Sequence, residues 1–186
     1  MKVARGGAQR NPWNSAPPRR PPRRAGLNLP CVLFSLPMAH TYTSSLFHCI
    51  FSTKERRKAI PPDAQERLWA YMGGIARTNQ IIALAVGGLD DHAHILLSLP
   101  ASMAVATAMR IIKSGSSRFL HEACRLTNFE WQEGYGAFSI GHAQIDATVT
   151  YIASQVEHHK TRDFQAELRA ILGKHQIACD PRDFPE

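Results

Sequence analysis

Residues 92–99, His-Ala-His-Ile-Leu-Leu-Ser-Leu, constrain the fold more than any other stretch of the chain, because only a two-residue period sorts them. On a strand, side chains alternate between faces. Ala93, Ile95, Leu97 and Leu99 then make a wholly apolar face, and His92, His94, Leu96 and Ser98 make the other. The apolar face has to lie on a core, which requires a sheet packed on at least one side. Two imidazoles are left adjacent on the opposite side, where their ring nitrogens can converge on one metal ion. The same pattern alone also describes two ordinary half-exposed histidines.

The neighbouring segments supply the rest of a sheet and its helices. The segment 41–53 (TYTSSLFHCIFST) is rich in Thr, aromatic and branched residues and reads as a strand, closed by the basic run 54–58. Pro61 and Pro62 lead into Asp63, which is placed to cap a helix with Glu66 three residues on and Leu68, Met72 and Ile75 as its buried stripe. A strand over 79–87, a turn of Gly87, Gly88, Leu89, Asp90 and Asp91, and the strand 92–99 ended by Pro100 form an antiparallel hairpin. A long helix is expected over 102–124, with Val105, Met109, Ile112, Ser116 and Phe119 inward and Arg110, Lys113 and Ser117 on another face. The stretch 131–140 reads as a fourth strand whose two glycines suggest a bulge or a close approach. Asp146 caps a helix to about His159, a last amphipathic helix covers 164–174, and 179–186 is irregular. The order strand, helix, strand, strand, helix, strand, helix predicts an α+β fold, a ferredoxin-like antiparallel sheet with added C-terminal helices.

Charge is distributed unevenly along this framework. The 186 residues carry 22 Lys and Arg against 15 Asp and Glu, a net charge of +7. Lys2, Arg5, Arg10, Arg19, Arg20, Arg23 and Arg24 account for all of it, because residues 1–37 contain no acid. The body from Met38 is neutral, so any anion binding there depends on local placement. Seven prolines in 1–37 exclude helix and central strand. Three readings of this segment stay open: a basic arm on DNA, a secretory signal, or sequence upstream of a translation start at Met38, which we favour. The expected division is a basic, Pro/Arg-rich tail over 1–37, one catalytic domain over 38–180 and a short tail over 181–186. No apolar run approaches the roughly 18 residues of a membrane span. Four widely spaced cysteines without a CxxC pair suit a reduced compartment, and a soluble cytoplasmic protein is expected.

A second motif lies at 151–155. At about 100° per residue, Val149, Ile152 and Val156 would form a buried stripe, while Tyr151 and Gln155 project away from it and stack one turn apart. An exposed tyrosine above an amide is a candidate nucleophile beside a ligand, although the spacing is common on helix surfaces. Tyr135 is the rival nucleophile. His158 and His159, a turn beyond Tyr151, could assist it or read as a solvated helix end with favourable dipole placement, the reading we favour, and His48 and His142 read as structural or surface residues.

Together, His-hydrophobic-His on a strand and Tyr-x-x-x-Gln on a later helix resemble the HUH single-tyrosine transposases of the insertion-sequence-200-like (200/605) family. The flanking segments LFHCIFSTKERR, GGLDDHAHILLSL, IIKSGSSRFL, WQEGYGAFSIG and TYIASQVEHHKTRDFQAEL share the likeness, which covers about residues 38 to 180. The resemblance implies that His92, His94 and Gln155 ligate one divalent cation, Mg²⁺ or Mn²⁺, and that Tyr151 attacks DNA to give a 5′-phosphotyrosine. It further implies single-stranded DNA hairpins as substrate, a homodimer in which one subunit's tyrosine helix can complete the other's metal site, and nucleoid association when DNA is bound. DNA contacts are expected from Arg56, Arg57 and Lys58 and from Arg110, Lys113 and Arg118, with Phe51 or Tyr135 stacking on bases. A domesticated relative that processes repeated palindromes, and a non-catalytic nucleic-acid-binding module, are the alternatives. A zinc hydrolase would leave Tyr151 unexplained.

Overall fold

The structure, a computed structural model, describes residues 42–160 and 163–178. The segment 1–37, the boundary at Met38 and the segments 161–162 and 179–186 lie outside the described residues. Four strands, β1 (Leu46–Ser52), β2 (Ile82–Gly88), β3 (His92–Ser98) and β4 (Gly136–Ser139), form one antiparallel sheet in the order β2-β3-β1-β4. The helices are α1 (Pro62–Thr78), α2 (Val105–Ala123), α3 (Ile145–Ala153), α4 (Gln155–His158) and α5 (Phe164–Lys174). This is the ferredoxin-like arrangement expected from the element order.

The alternation in β3 decides which side of the sheet is which. Ala93, Ile95, Leu97 and Leu99 are buried against α1 and α2, whose Leu68, Met72, Met109 and Ile112 have no exposed surface. Each such side chain contributes roughly 2 kcal/mol of transfer free energy. The opposite face is not open. Its Leu96 packs with Ala85 and Ile152 of α3, and its Ile50 packs with Phe138 and Phe164 of α5. The sheet is therefore the middle layer of three, and the histidine face is a second interior.

Element boundaries differ from expectation where a local feature outweighs pattern. The first strand begins only at Leu46. Pro61 is the N-cap of α1 with Pro62 in its first turn, so Asp63 lies inside the helix at its positive end and caps nothing. Asp146 likewise sits in the first turn of α3 after Gln144 at the N-cap. Helix α2 starts at Val105, and its inner face takes Leu120 while Phe119 stacks on Tyr71 at 4.3 Å. Glycine explains the short fourth strand. Gly134 adopts φ 77°, so Trp131 makes only an isolated bridge to Thr53 before the ladder resumes at Gly136. Helix α5 follows expectation, capped by Asp163 Oδ1 accepting from the Ala166 amide at 2.7 Å. Among the described residues no helix is long and apolar enough to cross a membrane.

Candidate active site

His92 and His94 enter the second interior from β3, and neither has any exposed surface. Asp91, the last residue of the hairpin turn, accepts from His92 Nδ1 at 2.6 Å. In the tautomer that carries its proton there, Nε2 presents a lone pair. His94 Nδ1 meets Nε2 of buried His48 on β1 at 3.0 Å. Burial, reinforced by His94, lowers the His48 pKa to about 3, so His48 stays neutral and can accept a proton from His94 Nδ1. His94 is itself lowered by burial, an effect partly offset by Glu167.

Helices α3 and α4 bring the second motif onto this face. Gly87, the cross-strand partner of His94, makes the approach possible: a Cβ there would lie 2.8 Å from the Ile152 carbonyl oxygen. The tyrosine helix lies almost against backbone. It then breaks at Ser154, whose φ of −97° and ψ of 14° leave the α-helical region. This break corrects the uninterrupted helical wheel expected for the segment: Gln155 turns inward to 1% exposure, and Val156, expected inside, is 60% exposed. Tyr151 is half-buried rather than exposed. Gln155 Oε1 lies 3.2 Å from His92 Nε2, while its Nε2 donates to Glu167 Oε1 at 3.2 Å and to the Tyr151 carbonyl at 3.4 Å. The four residues of the two motifs thus meet within a single chain.

The residue at their centre belongs to neither motif and is not among those expected from sequence. Glu167 of α5 is 1% exposed. Its Oε1 accepts from the Tyr151 hydroxyl. Its Oε2 lies 3.0 Å from His159 Nε2, 3.5 Å from His94 Nε2 and 3.9 Å from His92 Nε2. Burial alone would raise its pKa, but its close approach to His94 and the hydrogen bond from the Tyr151 hydroxyl hold it well below the usual carboxylate range. His159 is no solvated helix end: it packs on the His92 ring at 4.6 Å, and His158 meets Tyr151 edge-on at 5.1 Å. A signal for Glu167 did exist. It falls in the same helical stripe as Phe164, Leu168 and Ile171, where a carboxylate is out of place unless it is paired.

The donors suit a divalent cation. In the tautomer that donates to Asp91, His92 Nε2 and Gln155 Oε1 present lone pairs to each other, and His94 Nε2 is buried without a hydrogen-bond partner among the described residues. Oxygen and imidazole donors together fit Mg²⁺ or Mn²⁺. One nitrogen each from His92 and His159 and a Glu167 oxygen lie within 4.8 Å of one another.

A groove of about 700 Å³ runs beside this cluster, between β1, β4 and α5, lined among others by Ser52, Arg56, Gln132, Tyr135 and Phe164. Ser52 is the cross-strand neighbour of His92 and Phe164 stacks on the His92 ring at 4.7 Å, so the groove wall backs onto the site. Tyr135 belongs to the groove wall. Phe51 is buried edge-on against Trp131, with centroids 4.8 Å apart, and is closed to stacking with bases. Of the basic residues, Arg57 pairs with Glu55, and Lys58 lies 3.5 Å from Asp90. Lys113 donates to the carbonyls of Gln132 and Gly134 at 2.6 Å each. Arg110 and Arg118 are exposed on α2, in the helical layer away from the histidines.

The family model described as "Transposase IS200 like" matches residues 41–155, from before β1 to Gln155. The transposases for insertion sequence element IS200 of Salmonella typhimurium (strain LT2) and of Salmonella typhi are each 28% identical over 131 residues, covering 66% of this chain and 84% of theirs. Two solved structures share the fold. One, a candidate transposase from Deinococcus radiodurans R1, has a TM-score of 0.51 at 19% identity, over 63% of this chain and 95% of that one. The other, a REP-associated tyrosine transposase bound to a REP hairpin, has a TM-score of 0.50 at 20% identity, over 66% and 73%.

Proposed function

Because this chain belongs to the IS200-like transposase family, we propose that it cuts and rejoins single-stranded DNA at hairpin ends, with Tyr151 as nucleophile. The observation that supports this most is convergence: Tyr151 and Gln155, some sixty residues after the histidine strand, fold back onto it within one chain. His92 Nε2, His94 Nε2 and Gln155 Oε1 would hold a divalent cation, Mg²⁺ or Mn²⁺, which when bound polarises the scissile phosphate and offsets charge in the transition state.

A phenol with a pKa near 10 is a weak nucleophile at neutral pH. Here its hydroxyl already donates to an ionised carboxylate, Glu167, so the proton has somewhere to go as Tyr151 Oη bonds to phosphorus. The P–O3′ bond breaks. The products are a 5′-phosphotyrosine and a 3′-hydroxyl that carries, in net balance, the proton lost by the phenol. The tyrosyl ester conserves the phosphodiester energy, so attack by another 3′-hydroxyl reverses the step and rejoins DNA without a nucleotide cofactor. The single strand would run along the groove past Arg56, stacking a base on Tyr135. Arg57, Lys58, Lys113, Arg110 and Arg118 would meet phosphates farther from the cut. Because the centre is complete within one chain, a homodimer would bring two centres to two DNA ends without exchanging the tyrosine helix.

The test is a labelled single-stranded hairpin, incubated with the full chain and Mg²⁺ or Mn²⁺ and resolved on a denaturing gel. A covalent adduct is expected, absent with chelator and absent in Tyr151→Phe. An adduct that survives Tyr151→Phe would remove Tyr151 from this role, and no adduct with any hairpin flanking the gene would leave a DNA-binding module as the better reading.

A further inference from the structure

The family match ends at Gln155, yet a carboxylate in contact with Tyr151 comes from α5, beyond that limit. A carboxylate at 1% exposure needs compensation for its lost hydration. The protons around Glu167 fall short of that compensation at one oxygen. Oε1 is satisfied by the Tyr151 hydroxyl and the Gln155 amide. Oε2 receives one hydrogen bond, from His159 Nε2. The other two imidazole nitrogens near it are differently placed. In the tautomer that donates from Nδ1 to Asp91, His92 offers Oε2 only a lone pair from 3.9 Å. His94 Nε2, at 3.5 Å, makes no hydrogen bond. The Gln155 amide cannot turn to help, because its NH₂ group is already donating to Oε1 and its carbonyl oxygen is aimed at His92.

An anionic oxygen, two imidazole nitrogens and an amide oxygen thus face one small volume with too few protons between them. A cation there resolves every one of these contacts. We propose that Glu167 is the anionic ligand of the divalent-cation site, carried in by α5, and that its second oxygen ties the Tyr151 hydroxyl to the same centre. The inference rests on the metal-dependent reading above and adds to it a charged ligand outside the two motifs. Three neutral ligands alone would leave the full double charge in a buried site, whereas a carboxylate cancels half of it and favours hard cations such as Mn²⁺. His159 braces Oε2, as outer partners of metal ligands do.

The experiment is a titration of the full-length chain with Mn²⁺ alone, followed by calorimetry and by the electron paramagnetic resonance signal of free Mn²⁺, with no DNA present. Glu167→Gln should weaken binding by at least about 100-fold, more than loss of an outer partner costs, and circular dichroism should show that it folds. Should Glu167→Gln fail to fold, Glu167→Asp keeps the charge, and its Co²⁺ complex should differ in visible absorption from that of the wild type. Equal Mn²⁺ affinity in wild type and folded Glu167→Gln, with binding lost in His92→Ala, would overturn the role of Glu167 and leave the histidine site standing. An unchanged Co²⁺ spectrum in Glu167→Asp would overturn it as well. If the wild type itself binds no Mn²⁺, the metal-dependent reading fails along with it.

Discussion

Each imidazole of β3 is set by a neighbour on its far nitrogen, Asp91 for His92 and His48 for His94. Such partners fix tautomer and ring orientation, which a ligand needs before any cation arrives. For His48 the arrangement has a pH consequence. In the unfolded chain this ring takes a proton near pH 6.5, but in the folded protein only near pH 3. Between those values the unfolded state binds more protons, so stability falls as pH drops through this window and is fully present above it, with a slope of up to about 1.4 kcal/mol per pH unit for one proton. Denaturant melts of the metal-free protein from pH 7 to pH 4 should show that loss, and His48→Asn should flatten it. An unchanged slope in the variant would place the titrating group elsewhere.

Two features set the geometry of the tyrosine element. Gly87 lets α3 settle on the sheet, and the break at Ser154 rotates Gln155 beneath it. Gly87→Ala would place a methyl carbon 2.8 Å from the Ile152 carbonyl oxygen and 3.0 Å from its Cγ2, so α3 has to shift and Tyr151, the next residue back, moves with it. Misplacement approaching an ångström costs about 100-fold in rate. The single-turnover rate of adduct formation should therefore fall by roughly 10- to 100-fold, while the melting temperature, set largely by the α1 and α2 layer, changes little. A normal rate would mean that the helix seats itself without Gly87. Gly88 next to it is fixed for another reason: its φ of 152° and its approach to the His92 carbonyl leave no room for any side chain in the hairpin that presents the histidines.

As a whole, the molecule divides its labour across the sheet. One face packs α1 and α2 on aliphatic side chains and supplies stability. The other packs α3 and α5 around histidines, an amide and a carboxylate. The charge that makes the chain basic lies outside the described residues, since all of the +7 is in residues 1–37. A chain beginning at Met38 should retain hairpin cleavage. Its binding to single-stranded DNA should be less steeply dependent on salt, by about 0.7 in the logarithmic slope for each phosphate that the basic segment no longer neutralises. Cleavage abolished in a folded chain of that length would show that the basic segment takes part in the chemistry.

How much could be read in advance follows from the range of the forces involved. Strand alternation, helical periodicity and element order are local, so the sheet, the α+β fold and the core face of β3 were legible in the residues themselves, whereas the pairing of His92 and His94 with Tyr151 and Gln155 was legible only through the likeness of the two motifs to a known family. The inward turn of Gln155 was not, because a uniform helical wheel carries no sign of the break at Ser154. Nor was the burial of the histidine face, which exists because α3 and α5 return to cover it. Glu167, His48 and His159 joined the site for the same reason. Sequence by itself marked the candidate residues on two elements; only tertiary packing decided that a third element would bring a buried carboxylate between them, because an unpaired charge can be buried only where partners from distant segments have already gathered.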